Sequence, residues 1–168
     1  QFKTLPETLP GFLQGFGTIH ILAWTTTPWT LPSNTALTVG RHIEYVLVKT
    51  FNQYTFEPVN VVLAKNLVGK QFGKGFFASE DDADFDNVKN GDKQLPYQIL
   101  REMVGSELVG IRYEQLLPYV LPYQNAENAF RVIAGDFVTT EDGTGVVHTA
   151  PTFGADDAKV AKEAKPEV

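Results

Sequence analysis

Ten prolines and 14 glycines cut this chain of 168 residues into short β-branched and aromatic runs, and that punctuation limits its fold more than any other feature. The run Thr18-Ile19-His20-Ile21-Leu22-Ala23-Trp24-Thr25-Thr26-Thr27 reads as a strand stopped by Pro28. Extended segments are also predicted over 35–39, 43–49, 54–63 (interrupted at Pro58), 107–113, 130–134, 137–140 and 145–150. Helical signals are few: short stretches over 64–68 and 96–102, and an alanine- and lysine-rich run over 155–165 with Asp156 and Asp157 in its first turn. Residues 1–17 read as an irregular opening segment. The acidic stretch 79–92 reads as a solvated loop, since a calcium loop needs a closing Glu that is absent here. Many short strands without βαβ alternation imply an α+β fold, with a β-barrel-like curved sheet as its core and a few peripheral helices. No interior linker stands out, so residues 1–168 are expected to form one domain.

Hydrophobic residues make up 43% of the chain and charged residues 20%, a globular balance rather than a disordered one. Cysteine is absent, which removes disulfides, thiolate chemistry and cysteine-based zinc sites and fits a cytoplasmic location. No long apolar run or leader is evident, so neither a membrane span nor a signal peptide is expected. A first residue of Gln1 in place of Met points to a piece of something longer. The net charge of −6 disfavours a broad nucleic-acid-binding face. It leaves room for a pocket that takes only the end of a nucleic acid presented by another domain.

Two segments carry groups suited to chemistry. The first runs Trp24-Thr25-Thr26-Thr27-Pro28-Trp29-Thr30-Leu31-Pro32-Ser33-Asn34. Strand alternation must turn at least one of its consecutive threonines inward, and a buried hydroxyl needs a partner. Trp29 offers a rigid aromatic wall, and Asn34 both a donor and an acceptor. Ordinary β-propensity would also account for the threonines. The second segment runs Gly143-Thr144-Gly145-Val146-Val147-His148-Thr149-Ala150-Pro151 and continues to Asp157. Its glycines permit a tight turn. His148 could be a satisfied core residue or a working one, and Asp157 a helix-start residue or an anchor for a cation. His20, His42 and His148 lack zinc-ligand spacing, and no phosphate loop, nucleophile elbow or metalloprotease helix is present.

These two segments resemble the two signature peptides of the editing (CP1) domain of class I aminoacyl-tRNA synthetases for branched aliphatic amino acids, in the isoleucyl form. Leucyl and valyl members typically carry Arg where Thr27 stands and an acidic residue where Trp29 stands. A weaker likeness covers Gly105-Ser106-Glu107-Leu108-Val109-Gly110, and the stretch from about Phe51 to Asn90 shows none. The nucleotide-binding signatures of a full synthetase are absent. ATP binding would belong to a catalytic domain outside this chain, and no cofactor or metal is expected.

The resemblance implies an aminoacyl-tRNA deacylase that removes valine from mischarged isoleucine tRNA, with clearance of the adenylate as a second route. One methylene is worth only about 1–3 kcal/mol in an apolar pocket, a range for which synthetases of this same family are the standard example. A second sieve is therefore needed. By the resemblance, Asp157 holds the substrate α-ammonium, and His148 forms a wall that excludes isoleucine, with a general-base role ranked below the steric one. Thr25, Thr26, Thr27 and Thr30 bond the ester, the ribose or the attacking water, while Trp29 and Asn34 shape the mouth. The implied partners are the aminoacylated 3′ end of isoleucine tRNA, its valine moiety and the remaining domains of a parent synthetase, around a monomer. A valyl- or leucyl-type specificity, or a β-domain that only binds a partner, remain as alternatives.

Overall fold

The computed structural model describes residues 1–168. Its strands are β1 (Phe2–Lys3), β2 (Ile19–Ile21), β3 (Ala36–Val39), β4 (Glu44–Phe51), β5 (Pro58–Ala64), β6 (Phe76–Ala78), β7 (Leu95–Val104), β8 (Arg131–Ala134) and β9 (Val146–Thr149). The helices are α1 (Val68–Gln71), α2 (Asp82–Asp86) and α3 (Ala155–Glu163), with short 3-10 turns between elements. One sheet has six strands in the order β1-β2-β5-β4-β7-β6, and the other has three in the order β8-β3-β9.

Strand β4 sets the layering. Successive strand side chains point to opposite faces, and here both faces are apolar. Tyr45 and Leu47 enter a core shared with Leu37, Val39, Val132 and Val146 of the small sheet. Val46 and Val48 enter a separate cluster with Val61 and Leu63, covered by Val68 and Phe72 at α1. The main core therefore lies between the two sheets. The opposite face of the small sheet, at Ala36 and Ile133, is covered by Val160 of α3. The α+β expectation of sheets with few helices holds, but the strands form two packed sheets and do not close into a barrel. No helix is long and apolar enough to cross a membrane.

Local departures have physical reasons. The helix expected over 96–102 lies within β7, where pairing with β4 overrides the helix-forming Gln98, Leu100, Arg101 and Glu102. The strand expected over 107–113 is a 3-10 turn at Gly105–Glu107 followed by isolated bridges at Arg112 and Tyr113. Phe137–Thr140 is not a strand; Phe137 packs against the cluster under α3. The opening segment contributes β1 and two 3-10 turns, and Leu13 is fully buried. The acidic stretch contains α2, whose N-cap Asp81 accepts the Ala83 N–H at 2.9 Å. Phe85 of α2 stacks against Phe51. The first long run ends as a strand at Ile21, well short of Thr27.

Tyr45 joins the sheets. Its buried hydroxyl accepts the Gly40 N–H at 3.0 Å and donates to the Gly145 carbonyl at 2.5 Å, just ahead of β9. Burial pushes the Tyr45 hydroxyl up to about 12, partly offset by the Gly40 N–H. Gly145 has φ +73°, and a Cβ there would fall 2.4 Å from the Cβ of Ala64, so only glycine lets the turn dock on β5. Tyr45→Phe strands two buried backbone groups and is expected to cost about 1–3 kcal/mol. Urea unfolding checks this, because a midpoint equal to that of the unaltered chain would deny the hydroxyl any part in stability.

Candidate functional site

The small sheet brings the two signature segments together. β9 runs antiparallel to β3, with His148 opposite Leu37. Trp24 of the first segment bridges Val147 in parallel register. At Gly143 (φ +76°) a Cβ would press within 3.2 Å of the Trp24 side chain, so glycine is what allows this close approach. Beyond Pro28 the first segment winds into a 3-10 turn, Pro28–Ser33, which turns Thr30 inward and leaves Trp29 72% exposed.

A continuous set of polar contacts then links both segments. His148 is buried at 6% exposure, with Thr30 at 7% and Asn34 at 5%. Thr30 Oγ1 lies 2.9 Å from His148 Nε2. Asn34 Nδ2 lies 2.8 Å from His148 Nδ1 and donates to the Ala36 carbonyl at 2.9 Å. Behind Asn34, the buried Tyr113 hydroxyl donates to its Oδ1 at 2.6 Å. Toward the surface, Thr30 donates to the Thr27 carbonyl at 2.9 Å. Thr25 Oγ1 accepts the Thr27 N–H at 3.0 Å, and the two hydroxyls are 3.2 Å apart. Thr26 is exposed, and its hydroxyl makes no hydrogen bond within the chain.

Asp157 sits in the first turn of α3, half-buried, with Oδ2 accepting the Ala150 N–H at 2.8 Å. That bond fixes the chain just past β9 and engages only one of the two carboxylate oxygens. The Asp157 charge is felt at His148, where it favours the protonated ring. Desolvation is the larger effect and holds His148 below its ordinary 6.5. The site thus pairs a carboxylate with a neutral imidazole.

Comparison with known proteins then gives the family. The chain is 62% identical over 143 residues, 85% of its length, to the isoleucine–tRNA ligase of Cytophaga hutchinsonii. It is 56% identical over 164 residues, 98% of its length, to that of Bacteroides fragilis. The chain belongs to the isoleucine–tRNA ligase family. It spans 12% and 14% of the length of these two curated relatives. No family model matches it. Among solved structures, the editing domain of P. falciparum cytosolic leucyl-tRNA synthetase superposes with a TM-score of 0.65 at 14% identity, covering 93% of this chain and 49% of that one. A leucyl-tRNA synthetase CP1 structure, GlLeuRS-CP1, gives 0.56 at 17% identity, covering 87% and 44%. At such identities the likeness speaks for the fold, which is that of synthetase editing domains.

In this ligase segment, Thr25, Thr27, Thr30, Asn34 and His148 form one bonded group, with Asp157 beside it, whereas Trp29 stands out into solvent. A cleft of about 370 Å³ touches both signature segments through Ser33, Asn34, Pro151 and Thr152. His148 and Asp157 are not among its walls. The sequence reading of the segment missed Tyr113 and Tyr45, both buried tyrosines whose partners lie far along the chain.

The low His148 pKa has a consequence for stability. The unfolded chain takes up this proton at about 6.5 and the folded chain only at lower pH. The unfolded state therefore binds more protons below about pH 6.5, and stability falls there as pH drops. Unfolding free energies from urea titrations between about pH 7.5 and about pH 5 should decline in the unaltered ligase segment. The decline should be shallower in His148→Gln, with the part due to His20, also held low mainly by burial, retained. Equal slopes would show that His148 is not a responsible group.

Proposed function

We propose that this segment is the proofreading unit of its ligase and hydrolyses the ester joining valine to the terminal ribose of isoleucine tRNA, rejecting isoleucine by size. The observation that carries the reading is the union of the two signature segments through the Thr30–His148 and Asn34–His148 contacts, with Asp157 alongside. The ligase relatives and the editing-domain fold support it.

Hydrolysis here needs no covalent nucleophile. Water adds to the ester carbonyl carbon, the bond from that carbon to the ribose oxygen breaks, and the proton released from water ends on the ribose hydroxyl. The products are valine and uncharged tRNA. An aminoacyl ester is already reactive, so placement of substrate and water is the protein's main contribution. Asp157 supplies the anchor: its second oxygen binds the α-ammonium by a charge-assisted bond and fixes the carbonyl. His148, held rigidly by Thr30 and Asn34, is the wall that an added methylene meets. The hydroxyls divide by their existing commitments. Thr30 is bound to His148 and Thr27, and Thr25 to the Thr27 backbone. Thr26 alone of the three consecutive threonines has an exposed, uncommitted hydroxyl, and it bonds the ester or the attacking water. Trp29 and Asn34 border the mouth. The net charge of −6 implies that the remaining domains of the parent ligase deliver the acceptor end, because this surface attracts a polyanion poorly.

Deacylation of isoleucine tRNA charged with valine or with isoleucine separates these roles. Asp157→Ala should slow valine release by about 100-fold or more; an unimpaired variant would remove the anchor. His148→Ala should let isoleucine be released as well, eroding a discrimination of about 10- to 200-fold. Unchanged discrimination would leave His148 no part in selection.

A further inference from the structure

We propose that Tyr113 is a positioning residue: through Asn34 it holds His148 neutral and protonated at Nε2, and its bearing on hydrolysis rests on the editing function proposed above. The hydrogen-bond directions follow from groups with no freedom. The Ala36 backbone carbonyl can only accept, so the Asn34 atom 2.9 Å from it is the amide nitrogen. The same nitrogen faces His148 Nδ1 at 2.8 Å, which makes Nδ1 an acceptor. The other end of the amide, Oδ1, receives the Tyr113 hydroxyl proton at 2.6 Å. A neutral imidazole that accepts at Nδ1 carries its proton on Nε2, and Nε2 faces Thr30 Oγ1 at 2.9 Å. Thr30 directs its own proton to the Thr27 carbonyl, leaving a lone pair for the imidazole N–H. Protons thus point one way throughout, from Tyr113 through Asn34 and His148 to Thr30 and Thr27, with no donor facing a donor.

Tyr113 is buried, and Asn34 is the sole partner of its hydroxyl. Its ring packs edge-on to Phe2 at 5.2 Å and to Phe130 at 6.3 Å. Phenylalanine would pack there equally well, so the hydroxyl serves the amide. Without it, Asn34 Oδ1 would be buried with no donor, which loosens an amide that the Ala36 carbonyl alone then orients. A loosened amide no longer pins Nδ1 as an acceptor, and the ring samples both tautomers. In the native arrangement neither ring nitrogen has a lone pair free for water, so His148 is kept as a wall and withheld from base chemistry.

Long-range proton–nitrogen NMR correlations on the 168-residue chain with 15N-labelled histidine, at about pH 8 where an unperturbed imidazole is neutral, read the tautomer without substrate. The unaltered chain should show His148 with Nδ1 unprotonated and Nε2 protonated; a proton on Nδ1 would overturn the proposal by itself. Tyr113→Phe should lose that signature, moving the two nitrogens toward averaged values, and an unchanged signature would also overturn it. Should that variant not fold, Asn34→Asp replaces the amide donor with an acceptor and should place a proton on Nδ1. A signature like that of the unaltered chain would then refute the relay. In deacylation assays Tyr113→Phe should lower valine-over-isoleucine selectivity by about 10-fold or more, as a change in KM and kcat for the isoleucyl ester. A tautomer that responds as expected, in a segment whose full-length parent ligase releases no valine, would uphold the positioning of His148 and refute the editing function.

Discussion

Two-sided burial of β4 is the constraint from which the remaining geometry follows. A strand with Tyr45 and Leu47 on one face and Val46 and Val48 on the other needs cover on both. One cover is the small sheet. Because that cover is itself a sheet, its strands must seat on β4 and β5 in a fixed register, and Tyr45 supplies the polar tie by bonding both Gly40 and Gly145. Gly40 follows β3 directly, and Gly145 precedes β9. The tyrosine therefore grips both strands that carry His148 and its neighbours, and the site inherits its alignment from the hydrophobic core.

Much of this was legible in the sequence, and what was not has identifiable causes. Strands such as β3, β4, β8 and β9 show up because β-branched runs end at turn residues. β7 was hidden because Gln98, Leu100, Arg101, Glu102 and Met103 favour helices in isolation, and only pairing along β4 makes them extended. The stretch near Tyr113 reads as a strand for the opposite reason, apolar residues at strand spacing that find only bridge contacts. Thr30, Asn34 and His148 could be named as site candidates from motif order. Their mutual bonding could not, since 114 residues separate Asn34 from His148. Tyr113 carried no motif and no unusual neighbour, and only its 2.6 Å contact with Asn34 reveals a role. Trp29 was named from the same motif, and the 3-10 turn that brings Thr30 inward leaves its ring exposed.

A polar group this deep carries a penalty that only full satisfaction removes. His148, Asn34, Thr30 and Tyr113 are each buried, and each of their side-chain polar atoms has a partner within the group or the backbone. Such a network resists rearrangement, because moving one member leaves another unpaired. Rigidity is what size selection demands. In the proposed editing reaction, a wall able to yield by the width of a methylene would surrender the small energy difference on which selection rests.

The same network settles the electrostatics beside it. Asp157 has one oxygen bound to Ala150 N–H and lies close enough to His148 to favour an imidazolium. A protonated ring would be a resident cation next to that carboxylate, competing with any ammonium brought in by a substrate. Desolvation, and an amide nitrogen turned toward Nδ1, keep the ring neutral despite Asp157. The carboxylate charge is then left for an incoming cation. Burial of His148 thus does two things at once: it stiffens the ring within its bonded group, and it spares the neighbouring Asp157 a resident cation.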